Sequence, residues 1–176
     1  GHHRIQAMLK SKKKIAPMII AFPHNQVNIL DYNRVVKTRL KFEKINKIIL
    51  KNFSVKISEK DNKLKQNQIE MYVNRKWYTI QAYKQSKELD VTILRKLILN
   101  KILKSKKNIK FVSGFKGKKA LENFVNSKKY NLAFRLYPTN ISEVLVYADK
   151  KKYMPQKSTW FHPKPLDGLI SSKIIS

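Results

Sequence analysis

The sequence predicts an α+β fold, a mixed β-sheet with helices packed on it, and three observations carry that prediction. Short segments with alternating or continuous apolar residues, one clear hairpin among them, interleave with segments whose apolar residues recur every three to four positions. The interleaving keeps no strict strand–helix–strand order, which argues against an all-parallel doubly wound sheet. The composition, 42% hydrophobic and 28% charged over 176 residues, is a globular balance with enough chain for a real core. We read residues 1–176 as a single domain.

Residues 1–14 read as the start of a helix, with Ile5, Met8 and Leu9 on one side. Residues 15–22 are apolar and short, and Pro23 closes them, so a buried strand is expected. Residues 27–30 and 32–36 read as extended. Phe42, Ile45, Ile48, Ile49 and Phe53 recur at helical spacing, with Lys44, Lys47 and Lys51 on the polar side. Residues 58–67 are polar and read as a loop. Residues 69–73 alternate, Asn74, Arg75 and Lys76 turn the chain, and residues 77–80 run back as a hairpin.

Asp90 is placed to cap a helix over 91–104, striped by Val91, Leu94, Leu97, Ile98 and Ile102. Residues 109–112 predict a strand, 118–129 a helix built on Leu121, Phe124 and Val125, and 132–137 a buried strand that Pro138 stops. Asn140 with Glu143 three residues on is a capping pair for a helix to Ala148. Residues 153–165 hold three prolines and are expected to form no regular element; 169–174 read as a final strand.

Several function classes are excluded. There is no cysteine, so disulfides, thiolate metal sites and cysteine nucleophiles are ruled out. The four glycines, at 1, 114, 117 and 168, form neither a dinucleotide-binding loop nor a Walker loop. No apolar run is long enough to span a bilayer, and no secretory signal pattern follows the first residues, so a cytoplasmic protein without membrane attachment is expected.

The net charge of +28 points toward nucleic acid, but its make-up weakens the point. Lysines number 33 and arginines six; with 19 isoleucines and 14 asparagines, the lysines reflect an AT-rich codon bias. Base readers and bidentate phosphate clamps favour arginine.

Three segments concentrate chemistry. Gly1, His2, His3 and Arg4 open a helix with two imidazoles and a guanidinium, a phosphate cradle or else a purification-tag remnant. Residues 153–165 hold Lys157, Ser158, Thr159, His162 and Lys164 with two large aromatics in a proline-stiffened loop. That loop suits a phosphate or carboxylate, or else plugs the core with its aromatics. Asp31, Tyr32, Asn33 and Arg34 follow an extended segment and line a cleft or form a plain turn. The histidines are not spaced as metal ligands, and no carboxylate pair stands out.

Taken in order, these segments resemble the DUF1015 family of bacterial proteins. The matching stretches are Gly1 to Ala7 (Gly-His-His-Arg), Ile29 to Val36 (Ile-Leu-x-Tyr-x-Arg-Val-Val), Trp77-Tyr78, and Leu89 to Leu94. Ala133 to Pro138 follows, and then Met154 to Lys164 with Gly168-Leu169, the most specific of them. The resemblance implies that Gly1 to Arg4 are native and that an N-terminal half of a longer protein is absent. Asn33 departs from the family, where histidine is common. The Gly-His-His-Arg motif is also similar to that of the ParB, sulfiredoxin and free serine kinase group, whose equivalent loop holds nucleotide phosphates.

These resemblances imply a nucleotide-dependent small-molecule phosphotransferase, with ATP or ADP and magnesium as cofactors and a small anionic ligand as partner. Gly1, His2, His3 and Arg4 would hold nucleotide phosphates; Lys157, Ser158, Thr159, Lys164 and Arg34 would hold substrate. The catalytic base and metal ligands would lie largely in the absent half, leaving this fragment inactive alone. The other function weighed is a lysine-rich nucleic-acid binder without sequence preference. The phosphotransferase reading expects residues 1–4 and 154–164 to converge on one pocket.

Overall fold

The computed structural model describes residues 8–10, 18–59, 62–103, 105–166 and 168. Twelve elements follow one another over the described residues within 28–162, with single 3-10 turns between some of them. They are β1 (Asn28–Leu30), β2 (Tyr32–Val36), α1 (Phe42–Leu50), β3 (Phe53–Ile57), β4 (Gln68–Val73), β5 (Lys76–Ala82), α2, β6 (Ile109–Ser113), α3 (Gly117–Asn126), β7 (Leu132–Leu136), α4 (Ile141–Asp149) and β8 (Trp160–His162). Helix α2 runs Asp90–Leu94, continues through a π-helical turn at Arg95–Leu99, and ends at Asn100–Ile102.

The fold is α+β. Six strands form one sheet in the order β3-β5-β4-β7-β2-β6, and every ladder within it is antiparallel. A separate ribbon pairs β1 with β8, so the proline-rich segment returns to lie beside the residues that precede β2. The β4–β5 hairpin closes through Asn74 and Arg75, both at positive φ (49° and 60°), the two-residue turn whose twist matches antiparallel strands.

Strand alternation divides the sheet into two unlike faces. The first carries Val36, Ile69, Met71, Ile80, Leu132 and Phe134, packed on Ile45 and Ile49 of α1 and Leu94 and Ile98 of α2. Helix α4 adds Val144 and Tyr147 to this larger core. The second face carries Val35, Tyr72, Val112 and Ala133 under Leu121 of α3. Among the described residues one helix covers this second face; Trp77 packs on it, and Asn33, Glu70, Thr79 and Arg135 give it polar positions.

Several expectations need correction. Residues 18–22 form no strand: Met18, Ile19, Ile20 and Phe22 are exposed, because no strand of the described sheet pairs with them. Phe53 does not extend α1; the helix ends at Leu50 and Phe53 starts β3, fully buried on the larger core. Asp90 is not the cap of α2 but its first residue, after Leu89. Its Oδ1 instead accepts the backbone N–H of Asn67 at 2.9 Å. The proline-rich segment does contain a regular element, the three-residue β8. The expectations for residues 1–7, 11–17 and 169–174 lie outside the described residues. The Asn140–Glu143 capping box is present in both directions, at 2.8 and 2.9 Å.

Burial pushes the Asp90 carboxyl up from 3.8 to about 7; the Asn67 N–H opposes the shift and the charge of Glu143 adds to it. The native state therefore keeps a proton that the unfolded chain has already lost in this window. The contribution is complete below the unfolded value of 3.8 and is lost as pH rises through about 7. Asp90→Asn keeps the acceptor for Asn67 and removes the ionisation. Denaturant titrations at pH 5 and pH 8 should show the wild type losing about 1–3 kcal/mol more than the variant over that range.

Candidate functional site

Alternation along β2 sends Arg34 to the face of the larger core and Asn33 to the other. Arg34 is 2% exposed, yet among the described residues it meets no carboxylate. Its Nη1 donates to the carbonyl of Tyr32 and its Nη2 to the carbonyl of Lys157 at 2.8 Å, with the Phe111 ring 5.4 Å from the guanidinium carbon. Neutral acceptors take two of its donors without cancelling its charge, and desolvation lowers its pKa to about 9.

The loop that Arg34 holds is tightly tied. Lys157 sits at φ 57°, one of six non-glycine residues at positive φ among the described residues. The Ser158 hydroxyl donates to the Pro155 carbonyl at 2.6 Å, and the Thr139 hydroxyl donates to the Ser158 carbonyl at 3.1 Å. Ser158 is buried; Lys157 and Lys164 are exposed, and Thr159 is half-buried. The Lys157 ammonium lies 5.5 Å from the Tyr32 ring centre, and that of Lys164 lies 4.8 Å from Trp160. The indole Nε1 of Trp160 is buried with no acceptor among the described residues.

A second constellation lies on the other face of the sheet. Cross-strand register sets Glu70 opposite Arg135 on β7 and opposite Thr79 on β5. Glu70 is fully buried. Its Oε1 accepts from Lys118 Nζ and its Oε2 from Arg135 Nη1, each at 2.9 Å. Asn62 Nδ2 bridges Glu70 Oε1 (3.3 Å) and Thr79 Oγ1 (3.0 Å). Asp31 adds a second carboxylate: its Oδ2 accepts from Asn33 Nδ2 at 2.6 Å and faces Arg135 Nε at 3.8 Å. Asp31, Asn33, Asn62, Lys118 and Arg135 border a cavity of about 340 Å³ that Lys63, Gly114 and Gly117 also line.

The family model for "Protein of unknown function (DUF1015)" matches residues 1–98, more than half of the sequence. The chain belongs to the DUF1015 family. Within this DUF1015 chain the matched region contains Gly1 to Arg4 and Asp31 to Arg34, whereas the Lys157 loop lies beyond it. Among curated proteins none matches the sequence.

Solved structures share the fold. A free serine kinase variant in complex with AMP superposes at a TM-score of 0.60 and 16% identity, over 92% of this chain and 65% of the kinase. A conserved hypothetical protein from Pyrococcus furiosus gives a TM-score of 0.60 at 17% identity, over 92% of this chain and 67% of its own. A free serine kinase variant in complex with ADP gives 0.58 at 16% identity. The chain thus spans 65% of the length of the kinase neighbours.

Of the residues singled out from sequence, Arg34, Lys157 and Ser158 are brought together in the DUF1015 chain, with Thr159 beside them. The Ser158 hydroxyl and two donors of Arg34 are spent on the backbone. Gly1, His2, His3 and Arg4 lie outside the described residues, as does the convergence expected of them with the loop. Asp31 to Arg34 form no plain turn: three of the four belong to β2, and Asp31 and Asn33 line the cavity. Sequence reasoning passed over Glu70, Thr79, Asn62, Lys118 and Arg135. The available signal was a charged residue amid a strongly apolar strand, Ile69-Glu70-Met71-Tyr72-Val73.

Glu70 answers two cations at once, so removing its charge leaves Lys118 without a carboxylate and Arg135 with only Asp31 at 3.8 Å. Glu70→Gln should cost about 3–5 kcal/mol in chemical unfolding. Glu88→Gln, which breaks the exposed pair with Lys96, should cost under about 0.5 kcal/mol.

Proposed function

We propose that this DUF1015 chain belongs to a nucleotide-dependent phosphotransferase acting on a small molecule, with free serine among the acceptors to test. One observation carries the reading: Arg34 is a buried guanidinium with no carboxylate partner among the described residues, directly beneath the backbone of Lys157. Such a charge is unfavourable until an anion answers it. A phosphate brought to the Lys157 ammonium meets that second positive charge from behind, in a setting of low polarity. The fold shared with free serine kinases in complex with AMP and ADP supports the same chemistry.

In this reading Lys157, Thr159 and Lys164 contact the transferring phosphate or the acceptor. Arg34 and Ser158 hold the loop in shape, and His2, His3 and Arg4 grip the nucleotide. Transfer breaks the bond between the terminal phosphorus and the bridging oxygen of ATP or ADP. A bond to the acceptor hydroxyl oxygen forms, and the hydroxyl proton passes to a base. Catalysis of this kind consists mainly of positioning and charge neutralisation, which a rigid loop over a buried cation supplies. Magnesium would enter on the nucleotide phosphates. Among the described residues no three metal-ligating side chains cluster, and Asp31 and Glu70 already face cations.

Lysines elsewhere are dispersed. Lys110 and Lys118 lie on the α3 face, Lys37 and Lys101 border a separate cavity at the opposite end of β2, and Lys157 and Lys164 belong to the loop. Titration calorimetry with ATP, ADP and AMP tests the reading, with phosphoserine formation as the activity readout. Nucleotide should bind saturably, and Lys157→Ala should weaken it at least about tenfold, or about 1.4 kcal/mol, with thermal melting nearly unchanged. Absence of nucleotide binding, together with a salt-sensitive complex with single-stranded RNA, would favour the nucleic-acid reading instead.

A further inference from the structure

The cavity on the α3 face has an unusual balance of charge and unused hydrogen-bonding capacity. Its inner wall is held by Glu70, whose two oxygens are taken by Lys118 and Arg135. One carboxylate between two cations leaves an excess positive charge at that wall. Asp31 borders the same cavity and forms an ion pair with Arg135 Nε at 3.8 Å, too long for a hydrogen bond. Among the described residues Asp31 Oδ1 accepts no hydrogen bond, and Arg135 Nη2 donates none. Lys118 spends one of its three donors, on Glu70. An open acceptor and a set of open donors therefore border one cavity of about 340 Å³.

We propose that this cavity binds a small zwitterion, a molecule carrying one ammonium group and one oxyanion a few ångströms apart. The ammonium donates to Asp31 Oδ1; the oxyanion accepts from Arg135 Nη2 and Lys118 Nζ. The Asp31 charge opposes a simple anion, and Arg135, Lys118 and Lys63, which also lines the cavity, oppose a simple cation, metal ions included. A volume near the lower end for ligand sites suits a ligand of amino-acid size.

The walls are fixed before any ligand arrives. Asn33 Oδ1 accepts the backbone N–H of Leu136 at 3.1 Å while its Nδ2 holds Asp31. Gly114 donates its backbone N–H to the Asp31 carbonyl at 2.7 Å. A Cβ there would lie 1.9 Å from Asp31 Oδ1, so only glycine lets the chain close this tightly over the carboxylate. Gly117, at φ +67°, turns the backbone into α3 and brings Lys118 to the cavity. Side chains locked in this way lose little entropy on binding, which favours a small ligand. The site lies behind β2 from the Lys157 loop and stands whether or not the phosphotransferase reading holds.

The test is calorimetric titration of the whole chain with glycine, L-serine and phosphoethanolamine, against the single-charge analogues propionate and ethylammonium. At least one zwitterion should bind saturably and at least tenfold more tightly than either analogue. Preference between the amino acids and phosphoethanolamine identifies the oxyanion as carboxylate or phosphate. Asp31→Asn keeps the shape and leaves Glu70 paired, and should weaken zwitterion binding at least tenfold while strengthening propionate binding. If that variant does not fold, Lys118→Met supplies the second arm, with zwitterion and propionate both weakened tenfold. Absence of saturable zwitterion binding, propionate binding as tight as the zwitterion, or affinity untouched by the variant that folds overturns the proposal. Nucleotide titration of the same protein reports separately on the phosphotransferase reading.

Discussion

Glu70 has no access to water, and its charge must be answered inside the protein. Arg135 reaches it across the β4–β7 ladder, and Lys118 reaches it from the start of α3. That bridge joins the middle of the sheet to the one helix that covers its second face. It also decides what else is possible there. Arg135, drawn inward by Glu70, presents Nε toward Asp31, and Asn33 completes the bond that orients Asp31. Replacing the bridge with apolar residues of similar volume would leave stability nearly level, because burial of ion pairs roughly balances desolvation against attraction. The bridge is therefore better understood as fixing the directions of Arg135 and Lys118 than as a source of net stability.

The same strand solves a different electrostatic problem on its other side. Arg34 is one residue from Asn33 and points the opposite way, into a region where the described residues provide carbonyl oxygens and aromatic rings but no carboxylate. Its two bonds to the backbone fix the loop around Lys157, and the Tyr32 and Trp160 rings, 5.5 Å apart, wall the same region. Lys157 and Lys164 lie over those rings rather than extending freely into solvent. A positive conformational angle at Lys157 and an uncompensated charge below it are two separate costs in one place.

What was legible in the sequence follows from how local each signal is. The Asn140–Glu143 capping box, the hairpin over 69–80 and the stripe of α3 depend on residues a few positions apart, and each forms in the structure. The apolar run at 18–22 signalled burial, but burial needs a partner surface, and the described sheet offers none. Phe53 fits a helical stripe by spacing and equally fits the first inward position of a strand; the turn after Leu50 decides between them. Glu70 was the hardest to see. Alternation places it on the side of β4 away from the main core, where a carboxylate normally meets solvent. Only the long-range register to Arg135 and the covering helix α3, 48 residues along the chain at Lys118, turn that position into an interior one.

The scarcity of arginine gains meaning from where two of the six lie. Lysines make up most of the basic charge and are mainly exposed, as expected where base composition sets the residue and solvent tolerates it. Arg34 and Arg135 occupy positions that lysine cannot fill equivalently. Arg34 must donate in two directions at once, to Tyr32 and to Lys157, from a plane with no room to move. Arg135 must donate to Glu70 from Nη1 while holding Nε toward Asp31. A rotating ammonium has the charge but not the fixed divergence of donors. In a chain with 33 lysines and six arginines, a guanidinium at the heart of each constellation suits the fixed divergence of donors found there. The net charge of +28, by contrast, describes the surface and says little about either site.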